Sequence, residues 1–346
     1  SGTLEMADGE VVFSSALGNR KGSLSLRVAG KHNLESGEGS AQVTLAPLRF
    51  EPGGRSPRDI VPAFGGRIYG VTGGIDASGN FRWGPGVFET PLRLGMKSLS
   101  FEMVGLGVKG LRGDLQLRRS LPPEASPGQE LKIERLNTLI AITMGRAVFG
   151  ITGNRRVDIE TIEGRTLGGV FTGSGWVEQK GENGSVRFRL EGIQVSDLTA
   201  AINLEGLTGS GQMSGTFPID VHDGRAFVTG ARLEGGGQGG WIRYRPGERP
   251  AAFPAENPQL AEVLAILEDF RYDSLVFSLD GPLLEELAVR IELKGFNPAH
   301  LKGQRVELNL SVTTHLYDLF RNATATTRIS ESLGRRLRKS GVSPAE

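Results

Sequence analysis

Apolar and polar residues alternate with a period of two in five stretches of the chain: 306–312 (VELNLSV), 287–294 (LAVRIELK), 185–191 (SVRFRLE), 275–280 (LVFSLD) and 23–28 (SLSLRV). Successive side chains of a strand point to opposite faces, so each stretch predicts a strand with one apolar and one polar face. The same texture recurs along all 346 residues. It predicts a mainly all-β chain built on a long, twisted sheet of antiparallel type. What covers the apolar face then becomes the central functional question.

Further strands are expected at 10–14, 41–50, 67–72, 74–76, 80–83, 87–96, 98–104 and 113–118. Proline cannot donate to a ladder, so the Pro/Gly segment 51–62 and the segment 121–128 (LPPEASPG) are expected to be loops. Residues 131–151 read two ways: Leu136, Leu139, Ile140 and Thr143 fit a helix face, whereas Gly145, Gly150 and the β-branched residues favour strands. From 156 to 244 strands alternate with Gly-rich turns, and Asn183-Gly184 predicts a type I′ hairpin. One segment breaks the pattern. In 257–270 an N-capping Asn257 and Pro258 precede Leu260, Val263, Leu264 and Leu267, the spacing of an amphipathic helix. The tail from Leu316 is a second helical candidate, ending in the basic cluster Arg335, Arg336, Arg338 and Lys339. The expected organisation is one elongated β domain over 1–322 and a helical, basic tail over 323–346.

Composition narrows the function classes. Glycine supplies 51 residues, about twice its ordinary share of ~7%, as a chain of many tight turns requires. The 40 basic and 39 acidic residues leave a net charge of +1 and no basic stripe, so nucleic acid is not an expected partner. Without cysteine there are no disulfides and no thiolate metal site. Nor is there an apolar run of the ~18 residues that a membrane span needs.

Chemistry-bearing motifs are scarce. Gly105 to Gly110 spells GxGxxG, but a dinucleotide site needs a helix after that loop and a strand is expected there. His32, His222, His300 and His315 are never three or four residues apart, so no local metal pair appears. There is no GxSxG elbow. No cofactor, metal or catalytic site is expected. The basic cluster 335–339 suits either anionic headgroups or a solvated helix end beside the C-terminal dipole. Alternation alone leaves two architectures open for the apolar face: a core covered by a second layer, or an open channel for apolar ligands.

Several blocks then add information. These are Leu48 to Gly53 with Pro57 and Pro62, Gly168 to Phe171, Asp197-Leu198, Leu207 to Gly215 with Phe217 to Ile219, and Gly235 to Gly240. Ile242 to Tyr244, Leu267 to Asp273, Gly295 to Pro298 and Val306 to Leu310 follow. In this order they resemble the C-terminal region of YdbH-like proteins, AsmA-like components of Gram-negative envelopes, a region also labelled a dicarboxylate transport domain. The resemblance spans roughly 41–320 and implies a U-shaped, groove-forming sheet (a β-taco). It implies an inner-membrane anchor upstream of this fragment, a body crossing the periplasm and an end reaching the outer membrane, where a small lipoprotein pairs with the last strand. The implied role is phospholipid transport between the two membranes, and not catalysis.

On that reading the groove is lined by Val186, Phe188, Leu190, Phe217, Ile219, Leu275, Phe277, Leu279, Val289, Ile291, Leu293, Val306, Leu308 and Leu310, with Arg335, Arg336, Arg338 and Lys339 at the partner or membrane end. Dicarboxylate recognition would need converging cations, whereas Arg187, Arg189 and Arg290 alternate along strands. The alternative is an envelope scaffold or outer-membrane assembly factor with a closed apolar core. A carbohydrate-active solenoid is disfavoured, since Trp83, Trp176 and Trp241 are scattered and form no aromatic ladder.

Overall fold

The computed structural model describes residues 1–18, 25–54, 68–103, 105–138, 140–153, 155–202, 204–235, 237–245 and 258–315. They hold about twenty strands in an open antiparallel sheet, two short α-helices and a 3₁₀ turn at Leu301–Gly303. The chain divides into two compact units, Ser1–Gly164 with Gly175–Lys180, and Arg165–Ser174 with Gly181–Glu346.

The strands of the first unit are β1 (Gly2–Ala7), β2 (Glu10–Gly18), β3 (Ser25–Asn33), β4 (Gly39–Phe50), β5 (Tyr69–Gly84), β6 (Val87–Glu89), β7 (Leu92–Met103), β8 (Leu106–Ser120), β9 (Pro123–Asn137), β10 (Ile142–Thr152) and β11 (Arg156–Thr166). From β1 to β10 they form a meander in which strands close in sequence pair with each other, β6 being a short flap on β5. The registers align the apolar positions into rows. One row runs Leu17, Leu26, Leu45, Ala77, Leu94, Leu115 across six strands. A second runs Val28, Val43, Gly79, Leu92, Leu117, Ala125, Ile151. A third carries Phe13, Gly30, Ala41 and Phe81, the Phe13 ring lying where a β-carbon on Gly30 would sit. Trp83 occupies the space over Gly39 in the same way, and its Nε1 donates to His32 Nδ1 at 3.1 Å. Most side chains of these rows are half-buried, and no helix is described within this unit.

The opposite face carries ion pairs that run across the strands. Asp76 on β5 meets Arg93 Nη1 at 2.7 Å and Lys97 Nζ at 3.0 Å on β7, and Arg93 continues to Asp114 on β8. Arg146 on β10 likewise joins Glu130 on β9, at 2.8 Å, to Glu163 on β11, at 3.1 Å. Opposite charges on neighbouring strands reinforce the register that the apolar rows set on the other side.

The second unit contains β12 (Gly169–Glu178) in part, β13 (Gly184–Gln194), α1 (Val195–Ile202), β14 (Leu207–Ser210), β15 (Gln212–His222), β16 (Arg225–Gly235), β17 (Gly240–Tyr244), α2 (Pro258–Leu267), β18 (Phe270–Pro282), β19 (Glu286–Phe296) and β20 (Arg305–His315). Its meander is interrupted twice. β13 pairs with β15, so α1 and β14 form a detour between two hydrogen-bonded neighbours. β16 pairs with β18, so β17 and α2 form another. The two detours meet, since β14 pairs with β17, and β17 pairs with the first residues of β18. The buried apolar cluster belongs to this unit and runs from Ile193 to Leu308.

Several expectations need correction. The loop expected over 121–128 is only the Leu121-Pro122 turn: Pro123 opens β9, and Pro127 lies between the register shifts that separate Ala125 from Leu131. Proline is tolerated at a strand's first residue and at a bulge, where no ladder donor is lost. The short strands expected within 67–83 merge into the sixteen-residue β5, bent by register shifts near Thr72. The break expected near residue 97 is a bulge inside β7, with Ser98 at φ 47°. The turn before β13 takes its positive φ at Gly181 and not at Asn183-Gly184, because Gly184 is already paired with Val221. Asp8-Gly9, both at positive φ, make the two-residue hairpin that joins β2 to β1, a strand ahead of the one expected at 10–14. The helix expected to reach residue 270 ends at Leu267, and Phe270, fully buried, starts β18. Asn257, Leu139, the prolines at 57 and 62 and the whole tail from Leu316 lie outside the described residues.

Two predictions follow from the contrast between the faces. Leu293 is 2% exposed, so Leu293→Ala lowers unfolding free energy by about 2–5 kcal/mol. The half-buried Leu94→Ala lowers it by only about 1 kcal/mol; urea titration of each variant separates the two. Lys97 and Arg93 hold the Asp76 carboxyl below its usual value of 3.8. That stabilisation is present above the unfolded-state value and is lost as pH falls through the lower folded-state value. The stability gap between wild type and Asp76→Asn, measured by denaturation across the acid range, therefore narrows as pH drops.

Candidate apolar site under two helices

Three apolar rows cross the face of the second unit. The first is Met213, Gly235, Leu275, Leu293, Leu308. The second is Leu190, Gly215, Leu233, Phe277, Ile291, Leu310. The third is Ala231, Leu279, Val289, Val312. Residues directly opposite in an antiparallel pair share a face, so all fourteen expected lining residues lie on one side of the sheet. Leu275, Phe277, Val289, Ile291, Leu293 and Leu310 form one wall of an apolar cavity of about 200 Å³. Leu279, Val306 and Leu308 lie on the same face outside that cavity. Val186 and Phe188 pair with Ile219 and Phe217 and, with Leu190, are half-buried.

The other walls come from the two detours. α1 contributes Val195, Leu198, Thr199 and Ile202; β14 and β17 contribute Leu207, Ile242 and Tyr244; α2 contributes Val263, Leu264 and Leu267. In α1 the apolar residues fall at i, i+3 and i+7, which places them on one side of a helix only eight residues long. Asp197 in its first turn complements the helix dipole. Sequence reasoning missed α1, because a helix of two turns is too short for periodicity to register, and within the strands expected over 156–244 it did not single out β14 and β17, of four and five residues. It also left the apolar rows of the first unit unlisted. The alternation in Leu92 and Leu94, and again in Leu115 and Leu117, was the available signal.

Polar contacts fasten the C-terminal end of α2. The buried Asn297 donates through Nδ2 to the carbonyls of Ala265 and Ile266, each at 3.0 Å, while its Oδ1 accepts from the Ala299 amide at 2.8 Å. Arg245 Nε donates to the Glu268 carbonyl at 2.9 Å, and Arg243 pairs with Asp269 at 2.7 Å. These donors satisfy carbonyls that a helix end leaves open, and the cations suit the negative end of the dipole. Tyr272 donates its hydroxyl to the Ser210 carbonyl at 2.7 Å, tying β18 to β14, and burial raises its phenol above the usual range.

Other candidate chemistry does not assemble. The GxGxxG motif runs from the Gly105 turn into β8, so no helix N-terminus faces it. No cluster of metal ligands occurs among the described residues. Arg187 is paired with Asp220 at 2.8 Å, and it, Arg189 and Arg290 are exposed on the polar face. No helix among the described residues is long and apolar enough to cross a membrane. The basic cluster at Arg335, Arg336, Arg338 and Lys339 lies outside the described residues.

Removing the Asn297 amide unpairs two carbonyls at the end of α2. Asn297→Ala is expected to cost about 1–3 kcal/mol and to speed amide exchange across 261–267 more than elsewhere, as hydrogen-exchange mass spectrometry can measure.

A family model described as YdbH-like, intermembrane phospholipid transport protein YdbH, matches residues 6–338. No curated protein and no solved structure matches the chain.

Proposed function

The chain belongs to the YdbH-like family of intermembrane phospholipid transport proteins, and from that premise we propose that its apolar sheet face shields acyl chains as phospholipids pass between the inner and outer membranes of a Gram-negative envelope. The observation that carries this reading is the half-buried apolar face of the first unit. Leu26, Leu45, Leu94 and Leu115 form a row that stays partly exposed, in a unit where no helix is described. Apolar surface left in contact with water is costly, and a ligand or partner that covers it removes that cost. Each acyl methylene hidden there gains ~0.8 kcal/mol, so a row of leucines can shelter a chain without a shaped pocket.

The wider arrangement is part of the proposal. An inner-membrane anchor lies upstream, the body crosses the periplasm, and the C-terminal end with Arg335, Arg336, Arg338 and Lys339 meets the outer membrane. There a small lipoprotein adds a strand beside β20, whose described pairing is with β19 alone. The scaffold alternative draws support from the second unit, where α1 and α2 roof the face and a buried cluster fills much of it. A charge at Ile291 or Leu308 would disrupt either kind of molecule, so those positions do not discriminate.

Leu94 does discriminate. Leu94→Glu places a carboxylate on the open face, where water can still reach it. The variant is expected to fold, with a wild-type circular-dichroism spectrum and a melting point lower by about 2–4 °C, and to fail in restoring envelope integrity to cells that depend on this protein. A photoreactive residue at position 94 or 115 is expected to capture phospholipid in those cells. Full rescue by Leu94→Glu together with no captured lipid would leave the scaffold reading standing.

A further inference from the structure

We propose that the cavity between α1, α2 and the apolar face of β18, β19 and β20 is a binding site for the end of a single acyl chain. This rests on the reading of the sheet face as an acyl shelter and adds a terminal pocket to it. Protein interiors are ordinarily packed to the density of organic crystals, yet here about 200 Å³ is left open between Leu198, Leu264, Phe277 and Ile291. A cavity of ~150 Å³ lined by aliphatic and aromatic side chains stays dry and admits benzene, so this one has room for a hydrocarbon segment. A two-chain phospholipid with its headgroup does not fit.

The lining chemistry selects the occupant. Val195, Leu198, Ile202, Leu207 and their neighbours carry no charge. Among the lining side chains only Thr199 and Tyr244 carry hydroxyls, and that of Thr199 already donates to the Ser196 carbonyl at 3.0 Å. A buried water needs two to four polar partners, and a carboxylate or phosphate needs more. With Thr199 engaged, the one other hydroxyl, on Tyr244, is too few for either, so the headgroup stays outside and only methylenes and the terminal methyl enter. The walls formed by Phe277, Ile291 and Leu310 also belong to a row that continues through Leu233 and Gly215 to Leu190. A chain lying along that row therefore meets the same surface on entering the pocket.

The test uses the full chain and dodecanoic acid carrying a diazirine at its terminal carbon. After illumination and digestion, adducts are expected in 195–207, 261–267 and 275–293, and unlabelled dodecanoate should compete for them. Leu264→Trp and, separately, Ile202→Phe fill the cavity. Each is expected to reduce those adducts by about tenfold, equivalent to 1.4 kcal/mol of affinity, while adducts on Leu94 and Leu115 persist. Thermal melting of both variants identifies any that has lost its fold, and the other then decides. Adducts in the second unit that survive both fillings overturn the pocket. Labelling of the first unit without the second overturns it too, and leaves the proposed function intact. No labelling of either unit overturns both.

Discussion

An apolar sheet face cannot remain against water without cost, and the rest of this structure is arranged around that constraint. The registers put leucine, valine and isoleucine in continuous rows on one side and arginine, lysine, aspartate and glutamate on the other. The backbone ladder satisfies the peptide groups, so what remains undetermined is what lies on the apolar rows. The two units answer differently. In the second, the chain leaves the meander twice and returns with α1, β14, β17 and α2 over its own face. In the first, no described element does so.

The regular part of this arrangement is legible in the sequence. The stretches around Leu275, Ile291, Leu308 and Val186 all fall inside strands, and their apolar residues share the face that alternation assigns them. That follows from geometry, because a period of two admits no other assignment once the strand exists. What alternation cannot encode is which strands are neighbours. Nothing in the sequence between Gln194 and Gln212 states that β13 and β15 pair while α1 and β14 stand aside. Proline misled in the other direction. Pro123 and Pro127 signal a loop by composition but sit where a strand starts and where the ladder shifts, positions that need no amide donor.

The blocks that carry the family resemblance fall largely at departures from alternation. Asp197-Leu198 lies in α1, Leu207 opens β14, Ile242 to Tyr244 is most of β17, and Asn297 caps α2. Plain alternation is common to many sheets and identifies none of them. A roof needs particular residues at its joints: an amide that reaches two carbonyls from beneath, and a tyrosine hydroxyl that crosses to Ser210. Such joints make a sequence recognisable. The open face of the first unit, by contrast, left few distinctive marks beyond its leucines, which is why its rows were easy to overlook as a site.

The meander of the first unit also bears on how the chain acquires its structure. Each strand from β2 to β5 pairs with the one made just before it, β7 skips only the short β6 flap to pair with β5, and β8 to β10 again pair with their predecessors. Contacts of short sequence separation form quickly, since little loop entropy is lost in closing them. A chain emerging N-terminus first can therefore add one strand at a time to a growing edge. The second unit cannot proceed that way: β16 waits for β18, some forty residues later, before its far edge is satisfied. Until Phe270 to Pro282 arrives, β16 presents an unpaired edge and an unroofed face together. The interval between Gly235 and Phe270 is thus the stretch of synthesis in which this protein is most exposed to mispairing, and the period in which a chaperone would have the most to bind.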